Sequence, residues 1–356
     1  MTGIAVLAVI ALFQLAFLVL LIVFVGVRRQ VDRKAEAEFL VLRQGVSGPL
    51  GAWLTGTGPV EEVVATLRIL PGTSALGIAG NLARTSMPPA QRSVLAAALR
   101  DEHWARSARD GASSRQWGKR LQAARCFALT GALEDAPQLE RLLNDPRPAV
   151  AVAAVSALPR VANAALVERV LDRLVMLPVV VRVYLQDALR ELRPMVEPVL
   201  VKRLTIDAPP RALAIWIDLS GALELASALE RVPTLAAHDT ARVRVAVARA
   251  LRRVPTRATT EVLYRLLADT DDQVRAAAAH SLGELGSALA IPALLGAARD
   301  PSWFVRFRAA LALSQLGEQG RAAVRTLRID DDRYVADIAS LISGLGDGAL
   351  LDMVES

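Results

Sequence analysis

Three Val-Arg pairs, at Val243-Arg244, Val274-Arg275 and Val305-Arg306, are spaced by 31 residues, and Val181-Arg182 precedes the first by twice that distance. Steps back from Val181 reach Val150 and Lys119, the missing middle member falls at Ala212, and a step of 30 forward reaches Val335. Eight registers result. The phase recurs at other offsets: Leu158, Leu189, Leu251, Leu282 and Leu313 stand eight residues after the reference, and Asp145, Asp207, Asp269, Asp300 and Asp330 stand five before it. A period of this length marks supersecondary units that cannot bury their apolar faces alone and must stack on their neighbours. Offsets 0, +4 and +8 share one helical face, which is expected to be buried. Composition agrees with helix on helix. The chain is 53% hydrophobic but only 4% aromatic, and no Asn-Gly or Asp-Gly hairpin signal lies between alternating runs.

Each unit reads as two helices around an Asp-containing turn. Ile291–Ala298 is a first helix, Arg299-Asp300-Pro301-Ser302 the turn and Phe304–Leu316 the second helix. Asp suits a turn whose backbone N–H groups need an acceptor, and Pro suits a first helical position. Gly283, Gly286 and Gly317 are read as ends of second helices. The recurring Asp and Arg, such as Asp269 with Arg275 and Asp300 with Arg306, are read as a structural ladder that satisfies turn backbone between adjacent repeats.

The run Asp300-Pro301, Val305-Arg306, Ala309-Ala310, Ala312-Leu313 resembles the short HEAT-like repeat of the phycobilisome-lyase type, as do Asp145-Pro146 with Val150 and Val274-Arg275 with Ala278-Ala279 and Leu282-Gly283. The 181 and 212 repeats depart most, with Met176 in place of Asp and Ala212-Leu213 in place of Val-Arg. The resemblance covers about two-thirds of the chain. It implies an all-α fold, an α-solenoid of about eight helix pairs with second helices lining a concave side, and it is silent on activity.

The first 27 residues carry no charge, and Ile4–Val27 is almost continuously apolar. A helix of that length spans roughly 36 Å, enough for a bilayer core of about 30 Å. Met1-Thr2-Gly3 lacks the basic residues of a signal peptide. Arg28, Arg29, Arg33, Lys34 and Arg43 follow the run, which places the N-terminus outside and the rest of the chain on the cytoplasmic side of an inner or plasma membrane. The organisation expected is therefore a transmembrane anchor over 1–27, a juxtamembrane helix and Gly/Pro-rich hinge over 28–60, an irregular helical cap over 61–116, the solenoid over 117–347 and a tail over 348–356.

Nothing in the sequence calls for catalysis, a metal or a cofactor. Cys126 is the one cysteine, which excludes an internal disulfide. The histidines His103, His238 and His280 form no metal motif. His280 has Glu284 four residues on, but Gly283 is expected to end the helix between them. The concave stripe is assigned to offsets +3 and +6. Its partner-binding candidates are Gln122, Arg125, Tyr184, Asp187, Asp218, Arg249, His280, Arg308 and Leu311. The net charge is +6, yet acids interrupt the stripe, whereas a phosphate-binding groove needs a continuous basic track. The expected function is a membrane-anchored scaffold for membrane-associated protein partners, not an enzyme. The general association of anchored HEAT-like proteins with membrane machinery, rather than any residue here, suggests a glycosyltransferase of polysaccharide assembly as one such partner. Two alternatives are a nucleic-acid-binding HEAT-like protein, which the anchor and the broken stripe disfavour, and a bilin lyase-like protein, supported by generic repeat matches alone.

Overall fold

The computed structural model describes residues 44–85 and 87–344, and every regular element among them is helical. The expected span Ile4–Val27, the basic residues behind it and the tail 348–356 lie outside the described residues. Among the described residues no helix is long and apolar enough to cross a membrane. The chain divides into two compact units, one ending at Val161 and one beginning at Ala162.

The first unit holds α1 (described over 44–54), α2 (Val60–Arg68), α3 (Gly72–Thr85), α4 (Pro89–Arg100), α5 (His103–Asp110), α6 (Trp117–Thr130), α7 (Ala136–Leu143), α8 (Pro148–Val155) and α9 (Leu158–Val161). Two expectations are corrected here. Residues 44–54, read as a hinge from their glycines, are helical, because Val46 and Leu50 are buried one turn apart against Val63 and Leu67. The supposedly irregular region 61–116 is four regular helices, α3 included, whose buried Ala75, Leu76, Ile78, Ala79 and Leu82 continue that same core.

The second unit holds α10 (Ala164–Arg173), α11 (Val179–Glu191), α12 (Arg193–Arg203), α13 (Pro210–Ala222), α14 (Ala226–Leu229), α15 (Ala241–Leu251), α16 (Arg257–Leu266), α17 (Asp272–Glu284), α18 (Ile291–Ala297), α19 (Trp303–Gln315), α20 (Gly317–Leu327) and α21 (Arg333–Gly344). The second helices α13, α15, α17, α19 and α21 pack side by side in sequence. Their faces follow the 31-residue phase: Val181, Val243, Val274 and Val305 are buried at offset 0, Leu185, Trp216, Val247, Ala278 and Ala309 at +4, and Leu189, Ser220, Leu251, Leu282 and Leu313 at +8. These positions recur about one turn apart, so each helix turns one continuous stripe inward.

Arginine at offset +1 builds the ladder. Arg275 donates from Nε and Nη2 to both carboxylate oxygens of Asp300, 25 residues on, at 2.7 and 2.8 Å, while its Nη1 donates to the carbonyls of Asp269 and Thr270 in its own turn. Arg244 does the same with Asp269 and the carbonyls of His238 and Asp239. Within the first unit Arg120 repeats the pattern with Asp145. Each of these aspartates also accepts the N–H two residues ahead, from Arg147, Asp271 or Ser302. One guanidinium therefore fixes its own turn and grips the next, and the planar fork suits both tasks. The last rung is incomplete. Arg306 keeps the carbonyls of Asp300 and Pro301, but Asp330 pairs with Arg299.

Gly286 and Gly317, with φ of 70° and 66°, end second helices as expected. Gly283 does not. It lies inside α17, where an added Cβ would sit 2.7 Å from the Ala312 Cβ, so the glycine permits close approach of α19.

Candidate functional site

The residue at offset +9 bears on how closely neighbouring second helices meet. Gly283 admits Ala312 of α19, and Gly221 admits Ala250 of α15, whose Cα lies 3.1 Å from where a Cβ would stand. Arginine holds the same position at 190 and 252. At 252 the facing helix still packs close, Ser281 Oγ of α17 donating to the Ala248 carbonyl of α15 at 2.8 Å. Arg252 still finds a partner across the junction, Glu284, at 2.8 Å. The residue equivalent to Glu284 opposite Arg190 is Ala222, and Arg190 reaches only its carbonyl, at 3.4 Å. α11 accordingly shares none of the close packing that joins α13 to α15.

The resulting gap is an open cleft of about 580 Å³. α11 contributes Val179, Arg182, Val183, Gln186 and Arg190; α13 contributes Ile215, Asp218 and Leu219; Arg249, Ala250, Arg252 and Arg253 come from α15 and its end, and Glu224 from the turn after α13. Five arginines thus face two carboxylates. Concavity surrounds the Asp218 carboxyl with protein atoms while leaving it wet. That burial raises its pKa, and the charges of Arg249 and Arg252 oppose the rise.

Of the nine residues expected on the concave stripe, Asp218 and Arg249 line this cleft. His280 and Arg308 stand close to Arg249 and extend the polar surface along α17 and α19. Tyr184 and Asp187 are exposed on α11 but form no part of the lining, because the +1, +2, +5 and +9 positions of that helix face the gap instead. Gln122, half-buried, and Arg125, exposed, belong to α6 in the first unit. Leu311 is corrected outright. It is 1% exposed, because α19 is covered on both faces: Ala309, Ala310, Ala312 and Leu313 around it are buried as well. The sequence reading missed Arg182, Arg190, Arg252, Arg253 and Glu224. The +9 alternation of Gly and Arg was the signal that could have found the first helix gap.

The His280 expectation is also corrected. Because α17 runs through Gly283 to Glu284, the His280 Nε2 and Glu284 Oε1 come within 3.1 Å, and Arg252 donates to the same carboxylate. Burial lowers the His280 pKa. Glu284 opposes the shift, and Arg308, Arg252 and Arg249 reinforce it. Among the described residues no His, Cys, Asp and Glu cluster could hold a metal ion.

Residues 260–343 match the family described as HEAT repeats. No curated protein matches the chain in sequence. Solved structures similar to it include E. coli YibA at 15% identity, with a TM-score of 0.35 and coverage of 74% of this chain and 99% of that one. Human deoxyhypusine hydroxylase is 19% identical, with a TM-score of 0.29 and coverage of 89% and 98%. The CpcE–CpcF complex of phycocyanin lyase from Nostoc sp. PCC7120 is 19% identical, with a TM-score of 0.30 and coverage of 77% and 95%.

Proposed function

We propose that this chain is a membrane-tethered scaffold that captures a partner protein in the cleft between α11, α13 and α15, on the cytoplasmic side of the membrane. The observation that carries the reading is the cleft itself, with Arg182, Arg249 and Arg253 meeting no carboxylate within ion-pair distance among the described residues. In a fold where Arg120, Arg244 and Arg275, at the same offset +1, are held by aspartates, uncommitted guanidiniums in a concavity favour an external partner. The tether rests on the uncharged run Ile4–Val27 and the five basic residues from Arg28 to Arg43. Anchoring confines the scaffold to two dimensions and raises its effective concentration toward membrane-associated partners, and a membrane glycosyltransferase remains one type of partner that such a device would serve.

Two measurements test the reading. A reporter fused after Ser356 is expected to resist protease added to intact cells, and its digestion without permeabilisation would reverse the orientation. Crosslinking in intact membranes should capture a partner with the native chain and lose it with Arg249→Glu. A captured set that is the same for both removes the cleft as the working surface.

A further inference from the structure

We propose that the cleft receives an acidic amphipathic segment of the partner protein, carboxylates toward the arginines and apolar side chains along α11; this deepens the capture reading above and rests on it. Three observations lead there independently.

The first is a ladder arginine released from its ladder. Arg182 stands at the register of Arg244 and Arg275, and Asp207 lies 25 residues on, where the carboxylate partner would be. Yet Asp207 is exposed, no ion pair joins the two, and Arg182 lines the cleft instead. With Arg249 and Arg253 it belongs to a group of five cations that outnumber the two carboxylates of the cleft, and an acidic ligand complements the excess.

The second is apolar surface continuous with that charge. Met176, Val179, Val180, Val183 and Tyr184 are between 53% and 80% exposed. Their spacing of three and four residues puts them along one face of α11 and the turn before it. Val179 and Val183 also line the cleft. A stripe of this kind is where an apolar side of a bound segment gains by leaving water.

The third is a glutamate held in a strained conformation. Glu224 has φ 54°, the sole positive φ of a non-glycine among the described residues. It stands at the register of Gly286 and Gly317, which adopt the same left-handed conformation at no steric cost. A strained side chain kept in a cleft points to a use for it. With Asp218 it offers carboxylate acceptors to N–H donors of a bound segment. The same two carboxylates penalise a phosphodiester chain, whose regularly spaced charges cannot avoid them, and phosphate gains nothing from the valines. An acidic protein segment is therefore favoured over a nucleic acid.

The test uses the full chain in detergent micelles and three fluorescent probes: a Glu/Leu amphipathic peptide of about 20 residues, long enough to lie as a helix of about 30 Å, its Lys/Leu counterpart, and a single-stranded oligonucleotide. Saturable binding of the Glu/Leu peptide is expected. Arg182→Glu with Arg249→Glu should weaken it by about tenfold or more, and so should Val179→Asp with Val183→Asp, the helical melt staying unchanged in both because all four side chains lie at the cleft surface. Equal binding of the Lys/Leu peptide, preference for the oligonucleotide, or no saturable peptide binding overturns the acidic-segment assignment. If the peptide fails while Arg249→Glu still abolishes partner crosslinking in membranes, only the partner's chemistry is wrong. If crosslinking ignores Arg249→Glu, the capture reading falls with it.

Discussion

The repeats from α15 to α19 and the repeats around α11 and α13 are built on the same 31-residue period, but they resolve their arginines differently. In the first group Arg244 and Arg275 are each tied to two carbonyls and a bidentate carboxylate whose side chain is about 10% exposed, and Arg306 keeps its two carbonyls. In the second group the rung is absent, and Arg182 turns to the cleft. The +9 position repeats the lesson. Glycine at 283 draws α17 and α19 together, and arginine at 190 holds α11 away from α13. A period therefore sets where helices lie, whereas departures from it set where surface becomes available. The ladder spends its charges on the fold, and the cleft keeps them for a ligand.

The comparison is broken most strongly at the ladder. Replacing Arg275 by Gln leaves Asp300 partly buried without its cation and frees the Asp269 and Thr270 carbonyls. A cost of about 2 kcal/mol is expected, below the ~3–5 kcal/mol of a fully buried pair because water reaches both partners. Arg182→Gln should change stability by about 0.5 kcal/mol or less. Denaturant melts of the two variants in micelles measure the difference, and equal losses would mean that Arg182 is also structural. The ladder has an acid signature as well. Burial pushes the carboxyls of Asp269 and Asp300 upward, but hydrogen bonds from Arg244 or Arg275 and from the turn N–H groups hold them below the usual range. Their contribution is present above the ordinary value near 4 and is lost as pH falls through the lowered one.

Much of this contrast was legible in the residues. Val-Arg spacing gave the phase, and the buried series Val243, Val274, Val305 and Leu251, Leu282, Leu313 follows it. The ladder was legible because Asp and Arg recur with the period. The cap was not. α1 and α3 are rich in Gly, Thr and Ser, residues of low helix propensity that tertiary burial of Val46, Leu50, Ala75 and Ile78 overrides. The site was legible only in part. Offsets +3 and +6 located Asp218 and Arg249, but a uniform stripe assumes uniform packing. Where Arg190 opens the junction, other faces of α11 line the gap, and where Leu311 is covered from several sides the stripe disappears. Gly283 was misread because a glycine that ends a helix and a glycine that admits a neighbour look the same in sequence.

A second, smaller break exchanges the residues that share the left-handed position. Glu224→Gly should stabilise the chain by about 1 kcal/mol, the cost of a left-handed conformation for a residue with a Cβ. Gly286→Glu should destabilise it by a similar amount. No neighbouring atom lies within 4 Å of a Cβ built at Gly286, so the backbone conformation alone sets that cost. The pair is read by thermal melts together with peptide affinity. Strain retained for binding predicts that Glu224→Gly gains stability and loses affinity, whereas a gain in stability with unchanged affinity would make the glutamate incidental.

The smallest effect tests the border between the two regions, where His280 of α17 meets Arg249, Arg252 and Arg308 beside Glu284. Burial and those three arginines lower the His280 pKa, and Glu284 only partly offsets them. Between the lowered value and the ordinary one near 6.5, the unfolded chain binds a proton that the folded chain does not. Stability is therefore whole above about pH 6.5 and declines as pH falls from there toward the lowered value. His280→Gln retains a polar side chain of similar reach and removes the titration. The native chain and the variant should melt alike at pH 8, and the native chain should lose more on moving to pH 5. The two proteins differ only at His280, so the difference between the two curves belongs to His280 and its contact with Glu284. If the variant instead loses more than the native chain at low pH, the Glu284 attraction outweighs the arginines. The surface at this junction would then be effectively acidic, and the cationic character assigned to the neighbouring cleft would stop at Arg252.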